Sequence, residues 1–262
     1  DDVMNAQREV IYKRRRNALY GDRLSIDIAN MIYEVSHSLI EEYQASRDYE
    51  GFGLECFKNF AIENPFTEER FNNGKEEELA NDLFHAAQTH YTERSHLMAE
   101  QAFPVIREVY SNPNNKFENI VTPFTDGIKV IQVMSNLKKA HDTKGRDLVL
   151  GFEKGAVLAM IDDSWKEHLR ELDDLKQAVQ NASLEQKDPL VIYKLESFNL
   201  FKEMIIRSNK EVISFLMKGS LPGDGAQAPP QARFTQAPQK QQKERLTESR
   251  DEHVVEEQNA QQ

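Results

Sequence analysis

The sequence predicts a mainly α fold with long amphipathic helices, one antiparallel helical hairpin, one β-hairpin and a disordered C-terminal tail. Three observations carry that expectation. Breakers are sparse, with 11 Gly and 9 Pro in 262 residues, and the long stretches between them are rich in Glu, Lys, Leu, Ala and Gln. Apolar residues recur at spacings of three and four over several such stretches. One segment departs from this rule, with β-branched residues alternating around an Asp-Gly pair.

The elements follow in order. Residues 3–20 read as a helix with Val3, Gln7, Val10, Ile11, Arg14 and Ala18 on one face, and Asp1-Asp2 suit its N-terminus. Gly21-Asp22 breaks it, and a second helix runs from Arg23 to Ala45 with Ile28, Ile32, Val35, Leu39 and Tyr43 as its stripe. Between Ser46 and Gly74 the punctuation by Gly51, Gly53, Pro65 and Asn72-Asn73-Gly74 allows only short helices. A third long helix spans Lys75 to Tyr110, with a kink expected at Pro104. Residues 119–134 read as a β-hairpin turning at Asp126-Gly127, which must pack on something to persist in water.

After Gly145 comes the strongest pair of stripes. Leu158, Ile161, Trp165, Leu169, Leu172, Leu175 and Val179 form one, and Val191, Leu195, Phe198, Phe201, Ile205, Val212 and Phe215 form the other. The polar stretch from Asn181 to Pro189 joins them, so the two helices should face each other along these stripes as an antiparallel hairpin. An arm of about 25 residues reaches roughly 35–40 Å and has an exposed tip. From Gly219 to Gln262 the chain is rich in Gln, Pro, Ala and charge without periodicity, and reads as disordered.

Composition narrows the function classes. The formal net charge is −11, which argues against a general affinity for nucleic acid. Cys56 is the sole cysteine, so this chain holds neither a disulfide nor a cysteine zinc site, and Cys56 reads as buried and inert. No stretch approaches the 18 or so apolar residues of a membrane span. Gly74-Lys75 is no P-loop, because Glu69 stands where the first glycine is needed and no Ser or Thr follows. His85 and His90 fall on different helix faces, and His168 reads as packed or capped. The basic run Lys13-Arg14-Arg15-Arg16 reads as a solvated or ion-paired face. No catalytic, cofactor or metal site emerges. The opening DDVMNAQREV begins inside a helical pattern, as a piece of a longer protein would. Three classes stay open on the residues alone: a mechanical part of a larger motor, a stand-alone helical adaptor, and the accessory region of a nucleic-acid helicase. The acidic balance makes the last the weakest.

The residues quoted above also resemble one family. DDVMNAQREVIYKRRR is similar to the start of the helical scaffold of SecA, the motor ATPase of bacterial preprotein export. Phe152-Glu153-Lys154-Gly155, Trp165-Lys166-Glu167-His168-Leu169, Gln186-Lys187-Asp188-Pro189 and Tyr193-Lys194-x-Glu196-Ser197-Phe198 resemble its two-helix finger, in the right order and with suitable spacing. The resemblance implies a helical scaffold over 1–45, a helical wing over 46–111 and the finger over 151–218. Residues 112–150, with the β-hairpin, have no counterpart in the family pattern and are expected to be an insertion between wing and finger, and 219–262 a disordered linker. The resemblance places the ATP and Mg site upstream of Asp1, with none in this chain.

The resemblance further implies a fingertip at Asn181, Ala182, Ser183, Leu184 and Glu185 that meets the SecYEG channel and an unfolded preprotein. Leu184 stands where relatives often carry an aromatic. Trp165, His168, Leu169 and Leu172 are implied to couple finger to scaffold. The upstream motor domains and an anionic membrane surface complete the expected partners. The expected location is cytoplasmic, peripheral to the inner membrane. The zinc-binding tail of many members does not appear before Gln262.

Overall fold

A computed structural model describes residues 2–21, 23–114, 116–182, 188–221 and 235–236, with residues 180–182 and 235–236 described by their backbone alone. The first helix, α1 (Asp2–Tyr20), buries Gln7, Ile11 and Ala18. It stops at Gly21, whose φ of +78° suits glycine. The second, α2 (Leu24–Ser46), buries Leu24, Ile28, Ile32, Val35 and Leu39 along the expected stripe and ends on a left-handed Arg47.

The short helices expected between 46 and 74 are α3 (Tyr49–Phe60) and α4 (Glu68–Asn73). Each starts on a side-chain cap. Asp48 accepts from the Gly51 N–H and Thr67 accepts from the Arg70 N–H. Phe52 stacks on Phe71 at 4.6 Å between ring centroids, and Gln44 of α2 donates to the carbonyls of Phe71 and Gly74. The helix α5 (Glu76–Ser111) runs through Pro104 and packs along α2, where Tyr33 meets Phe84 edge-on.

The β-hairpin forms as β1 (Phe117–Thr125) and β2 (Val130–Asn136), antiparallel, with Thr125 opposite Val130 and Asn119 opposite Asn136. Its turn is built by Asp126, whose carboxylate accepts the N–H groups of Ile128 and Lys129, and by Gly127 at φ +90°. A six-residue helix, α6 (Leu137–Asp142), follows; it was not expected, because so short a stretch shows no periodicity.

The two longest partners close the fold. They are α7 (Arg146–Ala182) and α8 (Pro189–Lys218), the latter started by the Asp188 side chain and Pro189. Phe152 near the start of α7 meets Phe215 near the end of α8, and His168 meets Phe201, so the pair is antiparallel. A two-residue strand, β3 (Thr235–Gln236), pairs with β1 on the side away from β2. The rest of the expected disordered tail, beyond Leu221, lies outside the described residues. The buried side chains of α1, α2, α3, α5, α7, α8 and the hairpin form one continuous cluster. The hairpin segment expected as an insertion is built into this cluster through Ile120, Phe124 and Val133.

One expectation fails. Val191, Leu195 and Phe198 do not face α7 but stand exposed, together with Leu190. The rest of the expected stripe holds: Val212 and Phe215 are buried and Phe201 and Ile205 pack against the core, joined by Ser197, Met204 and Ser208 as further buried positions. At the level of Ser197 the facing groups are Gln7 and His168, so a small residue fits there and a Phe does not.

Candidate functional site

The arrangement with functional content is the α7–α8 hairpin and its joint to α1. The joint is polar at two levels, the first of them buried. The Gln7 side chain reaches from α1 into the groove between the two long helices, where its Nε2 donates to the Ser197 carbonyl at 3.0 Å. A carbonyl can only accept, so Gln7 must present Oε1 to its other neighbour, the His168 Nε2, also at 3.0 Å. The hydrogen of His168 therefore sits on Nε2. One glutamine thus links all three helices.

His168 is fully buried, and its Nδ1 has no hydrogen bond. The Glu171 carboxylate lies 3.7 Å from that nitrogen, but it is engaged by Arg207 of α8 at 3.1 Å. Burial holds the imidazole below its usual pKa, Glu171 pulls the other way and Arg207 opposes it. Burial prevails, so His168 is a neutral packing and bonding group. Trp165 is half-buried and packs its ring against the ring of His168, 5.5 Å apart. Leu172 is buried and Leu169 half-buried.

Further along α1 the joint becomes ionic. Arg14 donates to Asn209 of α8 and Arg15 pairs with Asp162 of α7 at 2.7 Å. Half of the basic run is therefore committed to the hairpin, while Lys13 and Arg16 are exposed. These bonds run in one sense: Gln7 meets 168 and 197, Arg14 and Arg15 meet 209 and 162. The helix α1 thus lies along the hairpin, parallel to α8. Beyond Gln7 the hairpin continues for about four turns of α7, roughly 20 Å. Leu190, Val191, Leu195 and Phe198 are exposed on that distal part of α8. Only part of the expected fingertip is described. Asn181 and Ala182 are in α7, and Ser183, Leu184 and Glu185 lie outside the described residues.

The base of the hairpin is fixed as firmly as its middle. Gly151 and Gly155 let β2 approach α7; a Cβ on Gly151 would lie 2.7 Å from Val133 Cγ1. Tyr91 of α5 donates to Glu153 at 2.5 Å, and burial pushes both groups above their usual pKa values. Cys56 is buried, with burial lifting its thiol to about 12. A cleft of about 610 Å³ lies between α3, α8 and the hairpin turn. Its Lys58, Lys129 and Lys210 each face a carboxylate, of Glu55, Glu211 and Glu42, so it offers little spare charge. No described helix is long and apolar enough to cross a membrane.

Sequence reasoning found His168 and missed Gln7 as the joint. The available signal was an amide in the middle of the Val3–Ile11 stripe, where an apolar residue would otherwise stand.

Comparison with known proteins agrees with this architecture. A family profile described as "SecA Wing and Scaffold domain" matches residues 1–220. The chain is 50% identical over 240 residues to "Protein translocase subunit SecA" of Christiangramia forsetii, covering 92% of this chain and 21% of that protein. It is likewise 50% identical over 252 residues to the protein of that name from Flavobacterium psychrophilum, covering 96% and 22%. The protein of that name from Porphyromonas gingivalis is 46% identical over 222 residues, covering 85% and 20%. The chain spans about one fifth of the length of these relatives. A family match over residues 1–220, most of the chain, places it in the SecA wing and scaffold family.

Proposed function

We propose that this chain is the mechanical part of a protein translocase subunit, carrying motion from upstream motor domains to a polypeptide in transit. The observation that supports this most is the joint at Gln7. A helix that lies along a long hairpin and is bonded to both of its arms transmits displacement along α1 to the far tip. Torque applied to α1 has no softer path, because the base of the hairpin is held by β2, α5 and Phe215.

In this reading α7 and α8 are a finger, whose tip at Asn181–Glu185 presents Leu184 to an unfolded chain inside the SecYEG channel. Contact through one apolar side chain is tolerant of sequence and weak, about 1.5–3 kcal/mol when fully buried. That suits a part that must grip and release many substrates. ATP and Mg bind in the motor domains of the whole protein, outside this chain. The protein works on the cytoplasmic side of the inner membrane, associated with it at the periphery.

The test is a photo-crosslinker in place of Leu184 in the whole protein, with a polypeptide stalled in the channel. Adducts to the polypeptide or the channel that form only with ATP are expected. Absence of both adducts in an actively translocating sample would refute the reading.

A further inference from the structure

The β-hairpin sits where the chain enters and leaves the α7–α8 pair. On one side β2 packs against Gly151 and Gly155 of α7. On the other, the chain emerging from α8 pairs with β1. The Thr125 N–H donates to the Ser220 carbonyl at 3.1 Å and the Ser220 N–H donates to the Thr125 carbonyl at 2.9 Å. These two bonds fix which way β1 faces. Thr125 turns both backbone groups away from β2, and the strand period of two turns Pro123, Val121 and Asn119 the same way, up to a register shift between Asn119 and Phe117. The second edge of β1 thus runs antiparallel to the chain leaving α8. Its far end is met by β3, with Thr235 opposite Asn119 and Gln236 opposite Phe117.

We propose that this edge of β1 is the docking site of the chain's own C-terminal segment, held once at Ser220 and again at Thr235–Gln236. The sequence between the two points fits a two-point attachment better than a full third strand. On β1 the paired positions Asn119 and Thr125 are six residues apart, whereas Ser220 and Thr235 are fifteen apart. Between Asn119 and Thr125, β1 carries Pro123, which has no N–H to offer an incoming strand. The surplus in the tail contains Pro222, Gly223, Gly225, Pro229 and Pro230, which are poor ladder residues. The segment after it, Arg233-Phe234-Thr235-Gln236, regains β-type residues where β1 again offers donors and acceptors. The same strand holds the finger base, through Phe124 on Phe152, so the tail and the finger are attached to one element.

The experiment is disulfide trapping in the whole protein. Asn119→Cys is combined in turn with Thr235→Cys, Ala228→Cys and Thr247→Cys, and bridges are mapped by mass spectrometry. Cys56 does not compete, being buried with a thiol lifted to about 12. The 119–235 pair is expected to close at least tenfold faster than either bracketing pair. Equal rates at all three would overturn the proposal, because a loosely tethered tail has no preferred partner. Thr235→Pro provides a second readout, since it removes an N–H without disturbing β2. Amide exchange at Asn119 should accelerate, while Thr122 and Phe124, which face β2, stay unchanged. An unaltered Asn119 amide would also overturn it.

Discussion

His168 is neutral because burial outweighs the nearby Glu171 carboxylate, and this has a pH signature. The unfolded chain takes up a proton near pH 6.5, the folded chain only at lower pH. Below 6.5 the unfolded state binds more protons, so stability is lost as pH falls towards the folded value; above 6.5 the contribution is complete. A urea series at pH 8 and pH 5.5 should show a larger loss for the parent chain than for His168→Gln. Equal losses would mean that His168 is not held neutral. Trp165→Ala should cost about 2 kcal/mol, less than a fully buried aromatic, because the indole is half-buried. At this scale the sequence was a partial guide. It marked Cys56 as buried and the run Lys13–Arg16 as solvated or ion-paired, without showing that Arg14 and Arg15 are the two that reach the α7–α8 pair. It could not show that Gln7 bridges His168 and Ser197, since these residues lie 161 and 190 positions away.

The long helices were legible because each keeps its apolar period over many turns, and the hairpin because an Asp-Gly turn interrupts β-branched alternation. What periodicity could not give was the phase of distal α8. There Val191, Leu195 and Phe198 continue the apolar stripe on paper but face outward in the fold. Since they are exposed, Leu195→Gln and Phe198→Gln together should shift the unfolding midpoint by no more than about 0.5 kcal/mol. A much larger loss would show that this face is covered. The α7–β2 contact predicts a contrast between two glycines. Alanine normally favours a helix over glycine by about 1 kcal/mol. Gly155→Ala should keep part of that gain, because its Cβ would lie 3.3 Å from Ile131. Gly151→Ala should instead cost about 1 kcal/mol, because Val133, a stiff side chain, would be overlapped at 2.7 Å. If thermal melts show the two variants alike, β2 does not rest on α7 as described.

At the level of the whole molecule, the fold is a brace. One buried cluster joins α2, α3, α5, the β-hairpin and the base of the α7–α8 pair, and α1 runs along that pair. The order of the parts was legible from motifs, while the way they lock together was not, because locking rests on pairs distant in sequence. Arg94 donating to the Gly219 carbonyl and Tyr91 donating to Glu153 are such pairs. In the proposed function, motion passes from α1 to the α7–α8 pair through Gln7. The most direct measurement is the ratio of polypeptide transported to ATP hydrolysed by the whole protein carrying Gln7→Ala. The substitution removes the bonds to both arms at once, a loss of about 1–3 kcal/mol at the joint, and leaves the finger's own sequence intact. The account predicts that hydrolysis continues while transport per ATP falls several-fold. An unchanged ratio, with transport and hydrolysis kept or lost together, would contradict it.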